Sequence, residues 1–390
     1  MKKDIWLTKD EILFYVAWSL FLLTTMFDLT AYSKIVEGVI IAKGIQCIRY
    51  GSYALCIISI CYKIFLKSKI MGIIGIALIL LLSLLGSANK TMFLYIFLIV
   101  AACGLTAKNV IMVSFFIGGL FWLVIVFGSQ IGIIEDYIFE PKLRARHSLG
   151  FAWATHGPIL YFFLVLQYVY LRKQKITYME LAILETINIV LYVLTDSRMA
   201  FLLLSLFILT MLLVKIGKNK WFLVEKTKWL WVAVPTIIAS IAIAIHAFYS
   251  PESIIWQKLN DILSGRLQLG KDAIADFGFT LFGQYIEWKG FSIGHLSGEG
   301  YNYVDCSYLQ LILEYGSIFL ILILILYSFV IYKCIKKKNY YLLWSIVFVL
   351  VLSITEPRLM NLAFNPFPVI FLCEIEGEKK RYVKTKIDKT

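Results

Sequence analysis

Apolar runs of roughly 16 to 25 residues recur from one end of the chain to the other, separated by short polar breaks. A helix needs ~20 such residues to cross the ~30 Å hydrocarbon core of a bilayer. The strict alternation of a half-buried strand is absent, so the pattern predicts helices rather than a barrel. Twelve spans are expected, at about 12–28, 45–65, 70–86, 91–106, 109–130, 150–171, 177–194, 198–215, 229–249, 307–332, 340–356 and 359–373. The predicted fold is therefore an all-α polytopic membrane protein, a single integral membrane domain over residues 1–390 with about 12 transmembrane helices. The last span is short and holds Pro366 and Pro368, which predicts a broken or re-entrant segment. The first follows MKKDIW, a signal-like start without a small-residue cleavage site, and is expected to be retained.

Two breaks are longer than the rest. One covers 131–149; the other covers 250–306 and lies between the ninth and tenth expected spans. Within the second, SIIWQKLNDILSGRLQ at 253–268 has apolar residues at helical spacing, which predicts an amphipathic helix in a large extracellular loop. The glycine-rich GFSIGHLSGEGYNY reads as loop.

Composition agrees with the pattern: 60% hydrophobic, 16% charged, mean hydropathy +0.81. The formal charge of +13 is unevenly placed. With the N-terminus inside, 25 of the 38 Lys and Arg fall in inside segments, including KIGKNK, KCIKKKN and the tail EKKRYVKTKIDK. That is the positive-inside bias, and it predicts cytoplasmic N- and C-termini. Short basic runs beside helix ends suit anionic headgroups and argue against a nucleic-acid partner. The seven cysteines show neither a disulfide framework nor metal-ligand spacing.

Arginine breaks the rule that lysine follows. Six of eight arginines fall on the expected outside: Arg49, Arg144, Arg146, Arg198, Arg266 and Arg358. The planar guanidinium fork binds phosphate or carboxylate in a bidentate way that lysine cannot copy, so this face suits an anion. Each position also has a plainer account. Arg146, flanked by His147 and His156, fits an interfacial anchor. Arg198 opposes the dipole of the helix it opens and needs an anion nearby, either Asp196 or a ligand. Arg266 fits the solvated face of the loop helix. Glu356 and Arg358 fit a salt bridge across Pro357. Glu185 and His246 fall within spans and carry no assigned role.

The stretch VDCSYLQLILEYG at 304–316 combines both kinds of account. Ser307 and Gln310 match a capping box, and Asp305 favours the positive helix N-terminus. Glu314 lies two turns along, ~10 Å deeper on the face of Ser307, which predicts a polar helix face lining a pocket.

These residues resemble the Wzy-type polysaccharide polymerases of capsules and O-antigens, relatives of the O-antigen ligases. RHSLGFAWATHG, TDSRMAF, SGRLQLGKDAIADFGFTLFGQ and DCSYLQLILEYG carry the resemblance, in order, between Arg144 and Pro366. Asp305 stands where many members have His. The resemblance implies transfer of a growing glycan from undecaprenyl diphosphate to an incoming lipid-linked repeat unit, at the outer face of the cytoplasmic membrane, with no cofactor and no metal. It implies Asp305 as catalytic base or acceptor-orienting group. Arg146, Arg198, Arg266 and Arg358 become diphosphate ligands, and His156, Tyr308 and Glu314 further substrate contacts. The expected partners are lipid-linked oligosaccharide repeat units, membrane lipids, a flippase and a chain-length regulator. Two alternatives stay open: a ligase moving finished glycan, and a transporter. For the latter, the short link RKQKIT and the lack of two similar halves are unfavourable.

Overall fold

The computed structural model describes residues 8–35, 40–66, 90–139, 145–217, 221–290 and 300–377. Helices dominate: α1 (Lys9–Phe27), α2 (Tyr32–Ile35), α3 (Ile40–Leu66), α4 (Lys90–Ala101), α5 (Ala107–Gln130), α6 (His156–Arg172), α7 (Tyr178–Thr195), α8 (Arg198–Ile216), α9 (Phe222–Lys226), α10 (Lys228–Ala247), α11 (Ile254–Ile262), α12 (Arg266–Phe277), α13 (Ser307–Gln310), α14 (Ser317–Lys336) and α15 (Tyr340–Leu352). A short antiparallel hairpin pairs β1 (Ile138–Phe139) with β2 (Arg146–His147).

Local chemistry sets several boundaries. Thr177 opens α7 with a reciprocal capping box: its hydroxyl accepts from Glu180 N–H at 3.1 Å, and Glu180 accepts from Thr177 N–H at 2.5 Å. The same helix stops at Asp196, which takes a left-handed conformation at φ 46°.

The number of spans needs correction. Among the described residues, seven helices are long and apolar enough to cross a membrane, rather than about twelve: Lys9–Phe27, Ile40–Lys63, Ala107–Gln130, Tyr178–Thr195, Arg198–Ile216, Lys228–Ala247 and Ser317–Lys336. The expected span at 70–86 lies outside the described residues. Apolar helices Thr91–Ala101 and Tyr340–Leu352 are too short to qualify. Helix α6 has 17 residues and is almost wholly enclosed by its neighbours. The last expected span is no spanning helix. After α15 the chain runs through turns and a 3-10 helix, Phe367–Leu372, broken as its prolines predict. Hydropathy reports apolar surroundings, and a segment buried against protein looks the same as one facing lipid. Irregular backbone is tolerated in such a place because protein, not lipid, surrounds it. The result is a multi-pass membrane protein.

The bundle has two chemically different ends. At one, lysines satisfy carbonyls left free at helix C-termini. Lys63 reaches Ala101 O (2.5 Å) and Cys103 O (2.9 Å), Lys215 reaches Ile176 O (2.5 Å), and Lys333 reaches Phe371 O and Cys373 O (3.0 Å each). At the other end stand Arg49, Arg146, Arg198, Arg266 and Arg358. The 353–374 segment starts at the arginine end and finishes at the lysine end, where Glu374 bridges Thr106.

The large loop differs from expectation in one respect. The helix predicted over 253–268 is two helices, α11 and α12, broken at Ser264 (φ 57°) and Gly265 (φ 85°). Asn260 caps the second, its Oδ1 accepting from Leu267 N–H (3.0 Å) and Gln268 N–H (3.2 Å). Beyond α12, residues 278–284 fold onto the start of α14. Ser317 N–H donates to Thr280 O at 2.9 Å, and Gln284 N–H donates to Glu314 O at 3.0 Å. Part of the glycine-rich stretch, 291–299, lies outside the described residues, as do Arg144 and the tail beyond Gly377.

Candidate active site

The site forms where the large loop, the start of α13 and the turn after α15 meet. The break at Gly265 puts Arg266 at the first position of α12, aimed at the body of the protein. Its Nε donates to Asp305 Oδ2 at 2.7 Å, and its Nη2 lies 3.5 Å from Glu356 Oε1. Arg266 therefore bridges two carboxylates and is not a solvated charge. Burial works against its charge, but Asp305 and Glu356 outweigh that and hold the guanidinium above its ordinary pKa.

Glu356 was expected to pair with Arg358 across the proline. It pairs with Arg266 instead. Burial pushes its carboxyl up to about 7, assisted by Asp305 and opposed by Arg266, Arg358 and Arg146. A carboxyl in this range exchanges a proton near neutral pH.

Arg358 turns the other way. Its guanidinium lies 4.4 Å over the Phe364 ring, and its Nη2 is 3.4 Å from His156 Nε2. Arginine only donates, so His156 Nε2 accepts, which places the histidine proton on Nδ1. Among the described residues no carboxylate oxygen lies within 4 Å of Arg358. His156 thus contributes by positioning Arg358. Arg146 comes from β2; its Nε donates to Thr195 O at 2.9 Å, fastening the hairpin to the α7–α8 turn. Beyond that turn, Arg198 pairs with Asp196 at 3.3 Å and its side chain is 50% exposed. Asp196 is therefore the anion that Arg198 required. His147 pairs with Asp136 at 2.6 Å and has no part in the cluster.

The stretch 304–316 is built differently from a simple cap. Ser307 is not the N-cap; its hydroxyl donates to Glu356 O at 2.6 Å and accepts from Leu359 N–H at 3.1 Å. It pins the turn that carries Glu356 and Arg358. Gln310 Nε2 donates back to Val304 O at 2.9 Å. The capping box is thus replaced by a tertiary fastening at Ser307 and a local one at Gln310. Tyr308 is also corrected: it is fully buried, and its hydroxyl donates to Leu350 O at 2.7 Å. That gives it a packing role rather than a substrate contact. Residues 311–315 form one turn of π-helix ending at Gly316.

The polar helix face expected to line a pocket does so. A cavity of about 260 Å³ is bounded by Ser307, Gln310 and Glu314 on one side, Trp288 and Tyr303 from the loop, and Arg358 and Asn361 opposite. Trp288 Nε1 donates to Glu314 Oε2 at 2.9 Å. Sequence reasoning missed Trp288, Tyr303 and the role of Glu356. The signal present for the last was its place two residues from Arg358, and that pointed to the wrong partner.

At the centre of the cluster Arg266 bridges Asp305 and Glu356, and Arg358 and Arg146 act on the Glu356 carboxyl through their charge; three guanidiniums stand against two carboxylates, one positive charge in excess when both acids are ionised. Among the described residues, no group of three His, Cys, Asp or Glu is arranged to hold a metal ion. Fold and site define a class: a multi-pass helical membrane protein with a guanidinium–carboxylate cluster at one end, beside a cavity of mixed polar and apolar lining. No protein-family model matches the chain, and neither curated proteins nor solved structures match it.

Proposed function

We propose that the protein is a polysaccharide polymerase, a membrane-embedded glycosyltransferase that moves a growing glycan from polyprenyl diphosphate to an incoming lipid-linked repeat unit. The observation that carries this reading is the bridge Arg266 makes between Asp305 and Glu356, with Arg358 and Arg146 close enough to act on the Glu356 carboxyl and Arg358 lining the adjoining cavity. Guanidiniums in excess of carboxylates suit a diphosphate, the leaving group of this transfer. Asp305 is the base or orienting group for the acceptor hydroxyl, a contribution typically of about 10²–10⁴-fold in rate. Glu314 faces the sugars in the cavity and His156 sets the direction of Arg358, while Arg198, held by Asp196, stays outside the proposed clamp. The arginine end faces outward, as the lysine bias supports.

The test is purified protein with a lipid-linked repeat unit, scored for laddered products. Wild type yields a ladder; Asp305→Asn and Arg146→Lys shorten or abolish it. Full-length ladders from both variants, stably inserted, would overturn the assignment. Long glycan accumulating on its lipid carrier in a deletion strain would point to a ligase instead.

A further inference from the structure

Two loop segments at the arginine end expose large apolar side chains. On α11, Ile254, Ile255 and Ile262 share one face with Lys258 and Asp261, by helical spacing. Ile255 is 79% exposed and Ile262 73%. In the segment after α12, Phe279, Leu281, Phe282 and Tyr285 are all exposed, Tyr285 at 68%. Scattered apolar residues on a surface need no explanation, but contiguous patches do.

Both patches continue apolar surfaces exposed on two of the helices long enough to span a membrane. On α10 and at its C-cap, Ile237, Ile241 and Phe248 recur at helical spacing and are exposed, with Phe248 only six residues before Ile254. On α14, Ile321, Ile325, Phe329 and Tyr332 form a second exposed stripe at spacings of four, four and three. Leu281 O accepts from Ile318 N–H at 3.3 Å, which seats the second patch on the first turn of α14. Helices α10 and α14 pack against each other, so the two patches sit at the same end of one helix pair.

We infer that α11 and the 279–285 segment are embedded in the bilayer interface, with Ile254, Ile255, Ile262, Leu281 and Phe282 among the acyl chains. The occupant of these patches is the lipid surface itself. An amphipathic helix with a wide apolar face lies in the interface plane in this way. The α11 face carries one charge of each sign, Lys258 and Asp261, and Glu252 is exposed just before it. Apolar burial rather than headgroup charge therefore drives the contact, which does not depend on the chemistry proposed above. The consequence is positional: Arg266 follows α11 across the Ser264–Gly265 break, so docking α11 fixes the height of Arg266 relative to the headgroups.

The test uses full-length protein in phosphatidylcholine nanodiscs, with the exposed Cys47 and Cys61 replaced by serine. Nitroxide labels are placed at Ile255→Cys, Ile262→Cys, Phe282→Cys and, as a solvent-exposed reference on α12, Ala275→Cys. The expected result is a several-fold higher ratio of oxygen to water-soluble nickel collisions at the first three positions than at the fourth, unchanged by added salt. Equal ratios at all four would overturn the inference. So would strong dipolar broadening between labels at Ile262, the mark of a second copy covering the face. Wild-type protein supplies a reading without substitution: a diazirine-bearing phosphatidylcholine should photolabel peptides covering 254–262 and 279–285. Absence of that label, with α10 and α14 labelled, would also overturn it.

Discussion

At the residue scale, the decisive object is Arg266 and the two carboxylates it bridges. Arg266 and Asp305 are each 22% exposed and Glu356 10%, so removing Arg266 costs somewhat less than the ~3–5 kcal/mol of a fully buried pair, chiefly through the charge left unpaired on Glu356. Arg266→Met should therefore destabilise the detergent-solubilised protein by roughly 2–3 kcal/mol at pH 8, read as a fall in melting temperature. Glu356 predicts the pH dependence. Its pKa is raised on folding from about 4.5 to about 7, so the folded state binds the proton more tightly than the unfolded one. Its contribution to stability is full below about 4.5 and is lost as pH rises through about 7. Glu356→Gln should flatten that decline, measured as melting temperature against pH; an unchanged slope would mean the carboxyl titrates normally. Tyr308→Phe tests the packing role. It removes one hydrogen bond, costing about 1 kcal/mol, and should leave any glycan ladder at wild-type length. The identities of Arg146, Arg266, Arg358 and Asp305 as site candidates were legible in the sequence. Their pairing was not. Glu356 is two residues from Arg358, yet its partner lies ninety positions away, because the turn that Ser307 fastens aims the two side chains in different directions.

At the element scale, the junction of the loop with α14 depends on two glycines. Gly283 has φ +76° and Gly316 has φ +90°, and a Cβ on either would approach backbone atoms to 2.3 Å and 2.4 Å respectively. No flexible side chain can yield there. Gly316→Ala should separate segment 278–284 from α14, costing at least about 1–3 kcal/mol from backbone strain alone. The measurement is limited proteolysis: cleavage within 278–290 should accelerate in the variant, while α14 stays protected. Periodicity located the helices well where one face met lipid or water. It failed for α11 and α12, since a helical period carries across a two-residue break without a change of pattern. It failed again at 353–373, where apolar character came from burial among neighbouring helices.

At the scale of the whole molecule, the two ends predict orientation. If the lysine end is cytoplasmic, a membrane-impermeant maleimide applied to intact cells should label Ala275→Cys and not Lys338→Cys, both in a background without Cys47 and Cys61. Lysis should then expose Lys338→Cys. The reverse pattern would place the arginine cluster in the cytoplasm and remove the basis for an outward-facing transfer. Separation of the two ends also explains why lysine and arginine divide as they do. Lysine's single point of charge satisfies carbonyls at helix C-termini and meets headgroups. Arginine's fork at the other end joins groups from distant segments.

The sequence by itself determined a helical membrane protein, its charge asymmetry, and most members of its polar cluster. These follow from composition, period and residue chemistry, which act locally along the chain. Tertiary structure alone decided which apolar segments are long helices and which are buried turns, and which carboxylate each arginine meets. It also decided that Ser307 is a fastening rather than a cap. Each of those depends on neighbours far away in sequence, and a one-dimensional pattern does not encode which distant groups come within hydrogen-bonding distance.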